Sequence, residues 1–287
     1  MVEPDLANEI CCAPLRAADV RANGRAVLDF ARSANPSLRS FKEAILYLQT
    51  SNAAFGAIEV AGPVIVWDAP LVGLEQPLKD LIGQAALPAD WEYTDGERAH
   101  IFRQLSEGLS LYRSVYPDHF QAFSETTTHL LFARRAGYGS GSVSNRVGMI
   151  WLAPVVDCPP IEYAENLLHE FLHQCLFLDE MVHTIFDGTS VRLGQDDARC
   201  LSAIRQERRG YDKSYHSAFV AFGLAKFYSA LGHADRAVEL MPPLLLCLDD
   251  LATKERFLTG HGRDLLQGLI RDVLSLHDRL GRCAHQK

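Results

Sequence analysis

The segment His169-Glu170-Phe171-Leu172-His173 contains the residues of this sequence with the clearest chemical potential. On a helix, side chains four residues apart project from the same face, so the two imidazoles would lie side by side. That arrangement suits two ligands of one divalent metal ion. Glu170 lies one position round the helix and would face the edge of the metal site. The spacing predicts a metal-dependent enzyme with a catalytic role for Glu170.

A polar stripe extends this pattern along the same predicted helix. Glu162 and Asn166 precede His169 at helical spacing, and most of the surrounding positions are apolar. The alternative is that the histidines lie on a solvated face or are satisfied inside a core. A polar stripe on an otherwise apolar helix favours the metal site.

A catalytic metal that keeps open positions usually has three protein ligands. Asp179 has the spacing of a metzincin ligand, but Gln174-Cys175-Leu176 lacks the glycine that would break the helix. Glu180 and His183 lie about two turns or more beyond His173, too far along the axis to reach the same ion. We therefore do not expect Asp179 to be a ligand, and we expect Glu180 and His183 to have solvated or capping roles.

Two candidates for the third ligand lie further along the chain. Glu207 could serve as a distant glutamate ligand, although it is also explained as the salt-bridge partner of neighbouring arginines. His216 is predicted to open the next long helix, after Asp212 as its cap, and a first-turn side chain can point across to a facing helix. We therefore expect His169, His173 and His216 to bind the metal, with Glu207 as the alternative.

The metal pair is predicted to lie on the strongest helix of the sequence, Ile161 to Val182, which follows Pro159-Pro160. Thr128 to Arg135 and Val147 to Pro154 have strand patterns and flank a glycine-rich loop, Gly137 to Asn145. A phosphate-binding loop opens directly into a helix, whereas this loop leads into a strand. We do not expect it to bind phosphate.

The other predicted elements are mostly helices. Two helices are expected between Leu15 and Leu48, separated at Asn35-Pro36, and β-branched residues between Phe55 and Val72 predict a hairpin or two short strands. Further helices are predicted over Glu97 to Tyr116 (stopped by Pro117), Lys213 to Leu231, Arg236 to Thr253 (broken at Pro242-Pro243) and Gly262 to Leu280.

These elements predict an α+β fold, mainly helical, with a small antiparallel sheet beside the HExxH helix and a zincin-like arrangement of that helix. We expect one compact domain over residues 1–287. Within it, residues 1–110 form an N-terminal helical and hairpin part of unassigned role, residues 111–232 form the metal-site core, and residues 233–287 form C-terminal helices.

Composition and charge exclude several classes of partner. The 287-residue chain has a formal net charge of −8 and no long basic run, which argues against binding to nucleic acid or to a membrane surface. No secretory signal or membrane-spanning apolar run is evident, so we expect a cytoplasmic protein. The seven cysteines include no CxxC pair and are expected to be mostly reduced and buried.

The segment from Leu111 to Tyr228 resembles the HExxH-type, 2-oxoglutarate-dependent peptide β-hydroxylases that accompany peptide natural-product gene clusters. The resemblance is carried by the strand Gly148-Met-Ile-Trp-Leu, the helix segment Ala164 to His173, the stretch Ser202 to Arg209 and the helix that begins Tyr215-His216. In that family, a histidine likewise starts a helix after an arginine-bearing segment.

The resemblance implies that His169, His173 and His216 bind Fe(II). It also implies an arginine for the distal carboxylate of 2-oxoglutarate, because a guanidinium can hold a carboxylate through two hydrogen bonds. Arg205 and Arg208 are the first candidates, with Arg209 behind them. The implied substrate is a peptide or an amino acid, which could be attached to a carrier or a leader.

Two other interpretations stay open. In a zinc metallopeptidase, Glu170 would be the general base that takes a proton from the attacking water. The absence of a metzincin glycine and the presence of several arginines favour the hydroxylase. The third interpretation is a non-enzymatic helical protein in which the HExxH pattern arises by chance.

Overall fold

The computed structural model describes residues 10, 12–49, 58–59, 61–67, 93–134 and 139–284. The helices in this part of the chain are α1 (Ala17–Ala34), α2 (Phe41–Leu48), α3 (Asp95–Val115), α4 (Pro117–Thr126), α5 (Pro160–Val182), α6 (Ser190–Leu193), α7 (Tyr211–Ala230), α8 (Ala234–Ala252) and α9 (Gly260–Ala284). The strands are β1 (Val64–Trp67), β2 (His129–Phe132), β3 (Ser140–Gly141), β4 (Met149–Leu152), β5 (Cys200–Leu201) and β6 (Arg208–Arg209). Three-residue 3₁₀ helices lie at Ser144–Arg146 and Glu255–Phe257. The fold is mostly helical with a small sheet, as the α+β prediction requires.

The N-terminal helices agree with the sequence pattern. The break predicted at Asn35-Pro36 separates α1 from α2. Helix α3 begins with a capping box in which Thr94 and Glu97 exchange hydrogen bonds, and it ends just before Pro117. Pro117 does not end the helical region, however. It begins α4, because proline lacks the N–H that a first-turn residue would leave unpaired in any case.

The described residues form two compact units, which are Val20–Leu178 and the pair of segments Met1–Asp19 and Asp179–Lys287. We call the first the sheet unit and the second the C-terminal unit. Most of α5 belongs to the sheet unit, and its last four residues, from Asp179 onward, belong to the C-terminal unit. The single domain predicted over residues 1–287, with its subdivisions, stays a prediction.

The sheet unit contains a four-stranded mixed sheet in the order β1-β2-β4-β3. Strand β2 pairs in parallel with both β1 and β4, and only β3 pairs antiparallel with its neighbour β4. The prediction of a small antiparallel sheet is therefore wrong in its strand directions. Every residue of β2 and of β4 is buried, and such continuous apolar runs are typical of parallel strands covered on both faces.

Strand β4 lies between β2 and β3, pairing with β2 along its whole length and with β3 at Trp151 and Leu152. Of the hairpin or strand pair predicted between Phe55 and Val72, the structure contains the strand β1. The rest of this prediction falls partly on residues 51–57, 60 and 68–92, which lie outside the described part of the chain. A connection long enough to cross the sheet joins β2 to β4, as parallel pairing requires.

Helix α5 packs closely against α3 within the sheet unit. A Cβ atom built on Gly108 of α3 would lie 2.7 Å from the Pro160 carbonyl oxygen and 2.7 Å from the Tyr163 Cβ atom. A glycine is needed here because the two helix backbones nearly touch. On α5, Phe171 contacts Phe123 of α4, with ring centroids 5.3 Å apart.

The C-terminal unit is built around α7, which is buried on all sides from Ser214 to Tyr228. Helix α8 packs beside it. The prediction that Pro242-Pro243 breaks α8 is wrong, because the helix runs continuously through both residues. The face of α8 that keeps it docked is apolar and buried, and it consists of Ala237, Met241, Leu244, Cys247, Leu248 and Leu251.

Within the described ranges, no helix has the length and apolar character to cross a membrane. Five of the seven cysteines are described as free, buried thiols, which confirms the prediction for them: Cys12, Cys158, Cys175, Cys200 and Cys247.

Candidate metal centre

His169 and His173 lie side by side on α5, with ring centroids 5.2 Å apart and ring planes inclined by 57°. Two imidazoles bonded to one ion at about 2.1 Å and at about the tetrahedral angle have centroids about 5.2 Å apart. Both side chains are half-buried, as is Asn166 one turn earlier. The pair therefore has the separation that a shared metal ion requires.

The sequence of α5 explains why this pair is presented. Pro160 occupies the start of the helix, where a proline suits the backbone. The apolar positions are buried on the faces around the polar stripe, and His173 has Phe177 one turn later, with ring centroids 6.2 Å apart and nearly parallel planes. The buried residues that hold the helix in the unit are Tyr163, Ala164, Leu167, Leu168, Phe171, Leu172, Cys175, Leu176 and Leu178.

Glu170 is buried and is held by two serines of the glycine-rich loop. The Ser140 hydroxyl donates to Glu170 Oε1 at 2.7 Å, and the Ser142 hydroxyl donates to Glu170 Oε2 at 2.7 Å. Ser140 also lies 3.5 Å from the Asn166 side-chain oxygen. Both carboxylate oxygens therefore have a hydroxyl donor, and we call these two hydrogen bonds the serine clamp.

The glycine-rich loop has a structural reason to contain glycine at its centre. A Cβ atom on Gly141 would lie 2.9 Å from the Trp151 ring on the paired strand β4. The absence of that atom lets β3 approach Trp151 while Ser140 and Ser142 reach Glu170. After the loop, the chain passes through a 3₁₀ turn into β4, which agrees with the expectation that the loop does not open into a phosphate-binding helix.

Gln174, which directly follows His173, fixes α5 to the start of β4. Its side-chain oxygen accepts from the Gly148 N–H at 2.8 Å, and its side-chain nitrogen donates to the Met149 carbonyl at 3.1 Å. Gly148 has a φ of +88°, a conformation that glycine adopts readily. The side-chain amide of Gln174 thus forms hydrogen bonds with two backbone groups at a buried turn. These bonds fix the position of the histidine pair on α5 relative to the first residue of β4.

Glu170 Oε1 also lies 3.9 Å from His169 Nε2. The carboxylate is thus within the sheet unit's candidate site, beside the first histidine. The structure brings together His169, Glu170 and His173 as the sequence predicted, and it adds Ser140, Ser142 and Gln174, which the sequence reasoning missed. The signal that could have found the serines is their i, i+2 spacing, which directs both hydroxyls to one side of an extended segment.

His216 belongs to the C-terminal unit, where it is buried in the second turn of α7. The prediction that it opens the helix after Asp212 as cap is wrong, because the cap is Gly210 and Asp212 lies in the first turn. The ring of His216 stacks on Phe186, with centroids 6.3 Å apart. Burial lowers the pKa of His216 to about 4, so the imidazole is neutral at pH 7, the state in which a histidine can bind a metal.

Within either unit, the described residues hold no group of three or more His, Cys, Asp or Glu side chains arranged to bind a metal ion. His169 and His173 lie in the sheet unit and His216 lies in the C-terminal unit. The three-histidine ligand set therefore stays a prediction.

The three candidate arginines lie on the β5–β6 hairpin of the C-terminal unit. The Arg208 guanidinium already has protein partners, because it lies 3.2 Å from the carboxylate of Asp250 in α8 and donates to the Arg199 carbonyl at 2.9 Å. Arg209 Nε lies 3.8 Å from the Glu207 carboxylate, in agreement with the salt-bridge role expected for that glutamate.

Arg205 lies in the turn of the same hairpin and is exposed. Its backbone N–H donates to the Ser202 hydroxyl at 3.2 Å. Arg205 and Arg208 are thus exposed, and Arg209 is half-buried.

Neither the protein-family models nor the curated proteins with which the sequence was compared contain a match.

Proposed function

We propose that this protein is an Fe(II)- and 2-oxoglutarate-dependent oxygenase that hydroxylates a side-chain carbon of a peptide or amino-acid substrate, with the β-carbon as the expected position. The observation that carries the proposal is the serine clamp on Glu170 beside the paired imidazoles of His169 and His173. The proposal includes a zincin-like arrangement of α5 and a cytoplasmic setting, in which the described free thiols would persist.

The donor set fits iron. Imidazole is a suitable ligand for iron as well as for zinc, and two histidines leave positions for a chelating cosubstrate. His169 and His173 would hold the ion, and His216 stays the predicted third ligand. When bound, iron with 2-oxoglutarate would supply the oxidising chemistry for inserting oxygen into a C–H bond.

The serine clamp argues for an orienting role of Glu170 rather than a proton-transferring one. A carboxylate accepts hydrogen bonds best when it is ionised, and here each oxygen already accepts one from a serine. A general base must gain a proton during each turnover, which would weaken both of these hydrogen bonds. Glu170 instead is suited to hold its position beside His169 and to order water or substrate there.

The arginines of the β5–β6 hairpin differ in how well they suit the distal carboxylate of 2-oxoglutarate. Arg208 already has a carboxylate partner in Asp250, and Arg209 has one in Glu207. The Arg208 side chain is nevertheless exposed, so Arg205 and Arg208 stay the first candidates, with Arg209 behind them. An extended peptide substrate would find β4 already paired with β2 along its whole length and with β3 at Trp151 and Leu152.

A zinc metallopeptidase is the second candidate, and one distance favours it. Glu170 Oε1 lies 3.9 Å from His169 Nε2, so the carboxylate is close to where a general base would meet the attacking water. In this alternative, the serines would orient Glu170 for proton transfer.

Metal analysis of freshly purified protein, followed by anaerobic titration with Fe(II) and 2-oxoglutarate, tests the proposal. The oxygenase should give a weak visible charge-transfer band and should form succinate when oxygen and a substrate peptide are added. His173→Ala should abolish the band, whereas the control His277→Ala, an exposed position on α9, should keep it.

The glutamate separates the two candidates. Glu170→Gln should lower succinate formation by less than about tenfold if Glu170 orients, because its amide oxygen can still accept from a serine. A zinc peptidase should instead lose about a hundredfold or more of its peptide hydrolysis, the usual contribution of a general base. Full metal retention in His173→Ala would contradict both enzymatic candidates and support a chance motif.

A further inference from the structure

A second pair of imidazoles lies in the C-terminal unit. His183 directly follows α5 and is exposed, and His261 is the second residue of α9 and is half-buried. Their ring centroids are 4.7 Å apart, with planes inclined by 39°. The chain thus brings two solvent-accessible imidazoles from distant positions in the sequence into contact.

The separation of these rings suits a shared metal ion. Centroids of two imidazoles on one ion lie about 4.5 Å apart at a right angle between the bonds and about 5.2 Å apart at the tetrahedral angle. The observed 4.7 Å falls between these limits. The backbone N–H of His183 donates to the Asp179 carbonyl at 2.7 Å, which fixes the backbone of His183 at the end of α5.

A buried carboxylate orients one of the two rings. Asp179 is buried and its Oδ2 atom lies 2.7 Å from His261 Nε2. If Nε2 carries the proton of this hydrogen bond, Nδ1 keeps a lone pair. Among the described residues, no side chain or backbone group forms a hydrogen bond to His261 Nδ1. A carboxylate behind an imidazole is the usual partner of a metal-binding histidine.

We propose that His183 and His261 form a binding site for a divalent transition-metal ion such as Zn²⁺, with Asp179 as the residue that positions His261. Water completes the coordination, since the site offers two protein ligands rather than three. Imidazole suits zinc, nickel and copper, whereas magnesium and calcium prefer oxygen ligands. The bound ion would tie the end of α5 to the start of α9, and so would stabilise the C-terminal unit.

Zinc titration by calorimetry, on full-length protein first stripped with a chelator, tests this site. The double variant His169→Ala/His173→Ala removes the candidate metal centre on α5 and should still bind one equivalent of zinc. Adding His183→Ala to that background should abolish binding. Zinc should raise the melting temperature of the double variant but not that of the triple variant. Asp179→Asn should weaken zinc affinity about 10- to 100-fold.

His277→Ala is the matched control in the same background. His277 is exposed on α9 and lies 3.9 Å from the Asp278 carboxylate, but it has no imidazole partner in the described part of the chain. This variant should keep the single equivalent. The proposal is overturned if the double variant binds no zinc, or if its binding is unchanged by His183→Ala. Binding of only one equivalent in both wild type and double variant would contradict the centre on α5 and leave the second site standing.

Discussion

The serine clamp makes a quantitative prediction about stability that does not depend on any bound metal. Ser140→Ala and Ser142→Ala each remove one 2.7 Å hydrogen bond to the buried Glu170 carboxylate. Hydrogen bonds to charged groups contribute about 1.5–3 kcal/mol, and both serines are half-buried, so we expect about 1.5 kcal/mol for each. The double variant should lose about 3–4 kcal/mol, because the carboxylate then has neither hydroxyl donor.

The assay is urea denaturation at pH 7 followed by circular dichroism, arranged as a double-mutant cycle with Glu170→Gln. The cost of losing both serines should fall by at least about 1 kcal/mol once the charge is gone. Ser106→Ala is the control, since the Ser106 hydroxyl is exposed and bonds a carbonyl of its own helix. A coupling energy below about 0.5 kcal/mol, with single variants that behave like Ser106→Ala, would refute the clamp.

Three further predictions concern the elements that position the site. Gln174→Ala should lower the free energy of unfolding, measured by denaturant titration, by about 2–4 kcal/mol, because it leaves two buried backbone groups without a hydrogen-bond partner. The control Gln121→Ala, at an exposed amide, should lower it by less than about 0.5 kcal/mol, and equal losses in the two variants would contradict this role of Gln174. Gly108→Ala should cost about 2 kcal/mol and lower the melting temperature, because its Cβ atom would press on the Pro160 carbonyl; an unchanged melting temperature would show that the helices can separate easily. Burial lowers the pKa of Lys42 from 10.5 to about 8, so the folded state binds fewer protons than the unfolded chain between these values. As the pH increases from 8 to above 10.5, the free energy of unfolding of the wild type should therefore rise by up to about 3 kcal/mol relative to that of Lys42→Met. Parallel plots of unfolding free energy against pH for the two proteins would disprove the pKa shift.

The helices could be predicted because their signals are local. The apolar spacing of α5, the proline at its start and the capping box of α3 each act within one or two turns. The i, i+4 spacing of His169 and His173 is local in the same sense, and the ring separation agrees with it. Periodicity therefore sufficed for the helices and for the paired imidazoles.

The features that sequence reasoning missed depend on contacts across the chain. The direction of β4 follows from its pairing with β2, and no residue within β4 encodes that partner. The Ser142 hydroxyl meets Glu170 from 28 residues away. Pro242 was wrongly expected to break α8, because the rule for isolated helices takes no account of the buried face that holds this one in place.

The serine clamp and the Gln174 anchor also define a sequence fingerprint that is more selective than HExxH alone. This fingerprint consists of a Ser-x-Ser pair in a glycine-rich segment, followed later in the sequence by the motif Asn-x-x-His-Glu-x-x-His-Gln. Because the serines serve the carboxylate, a sequence that replaces Glu170 by an apolar residue should be free to lose Ser140 and Ser142 as well. Homologues of this protein should therefore be recognisable by the joint presence or joint loss of these positions.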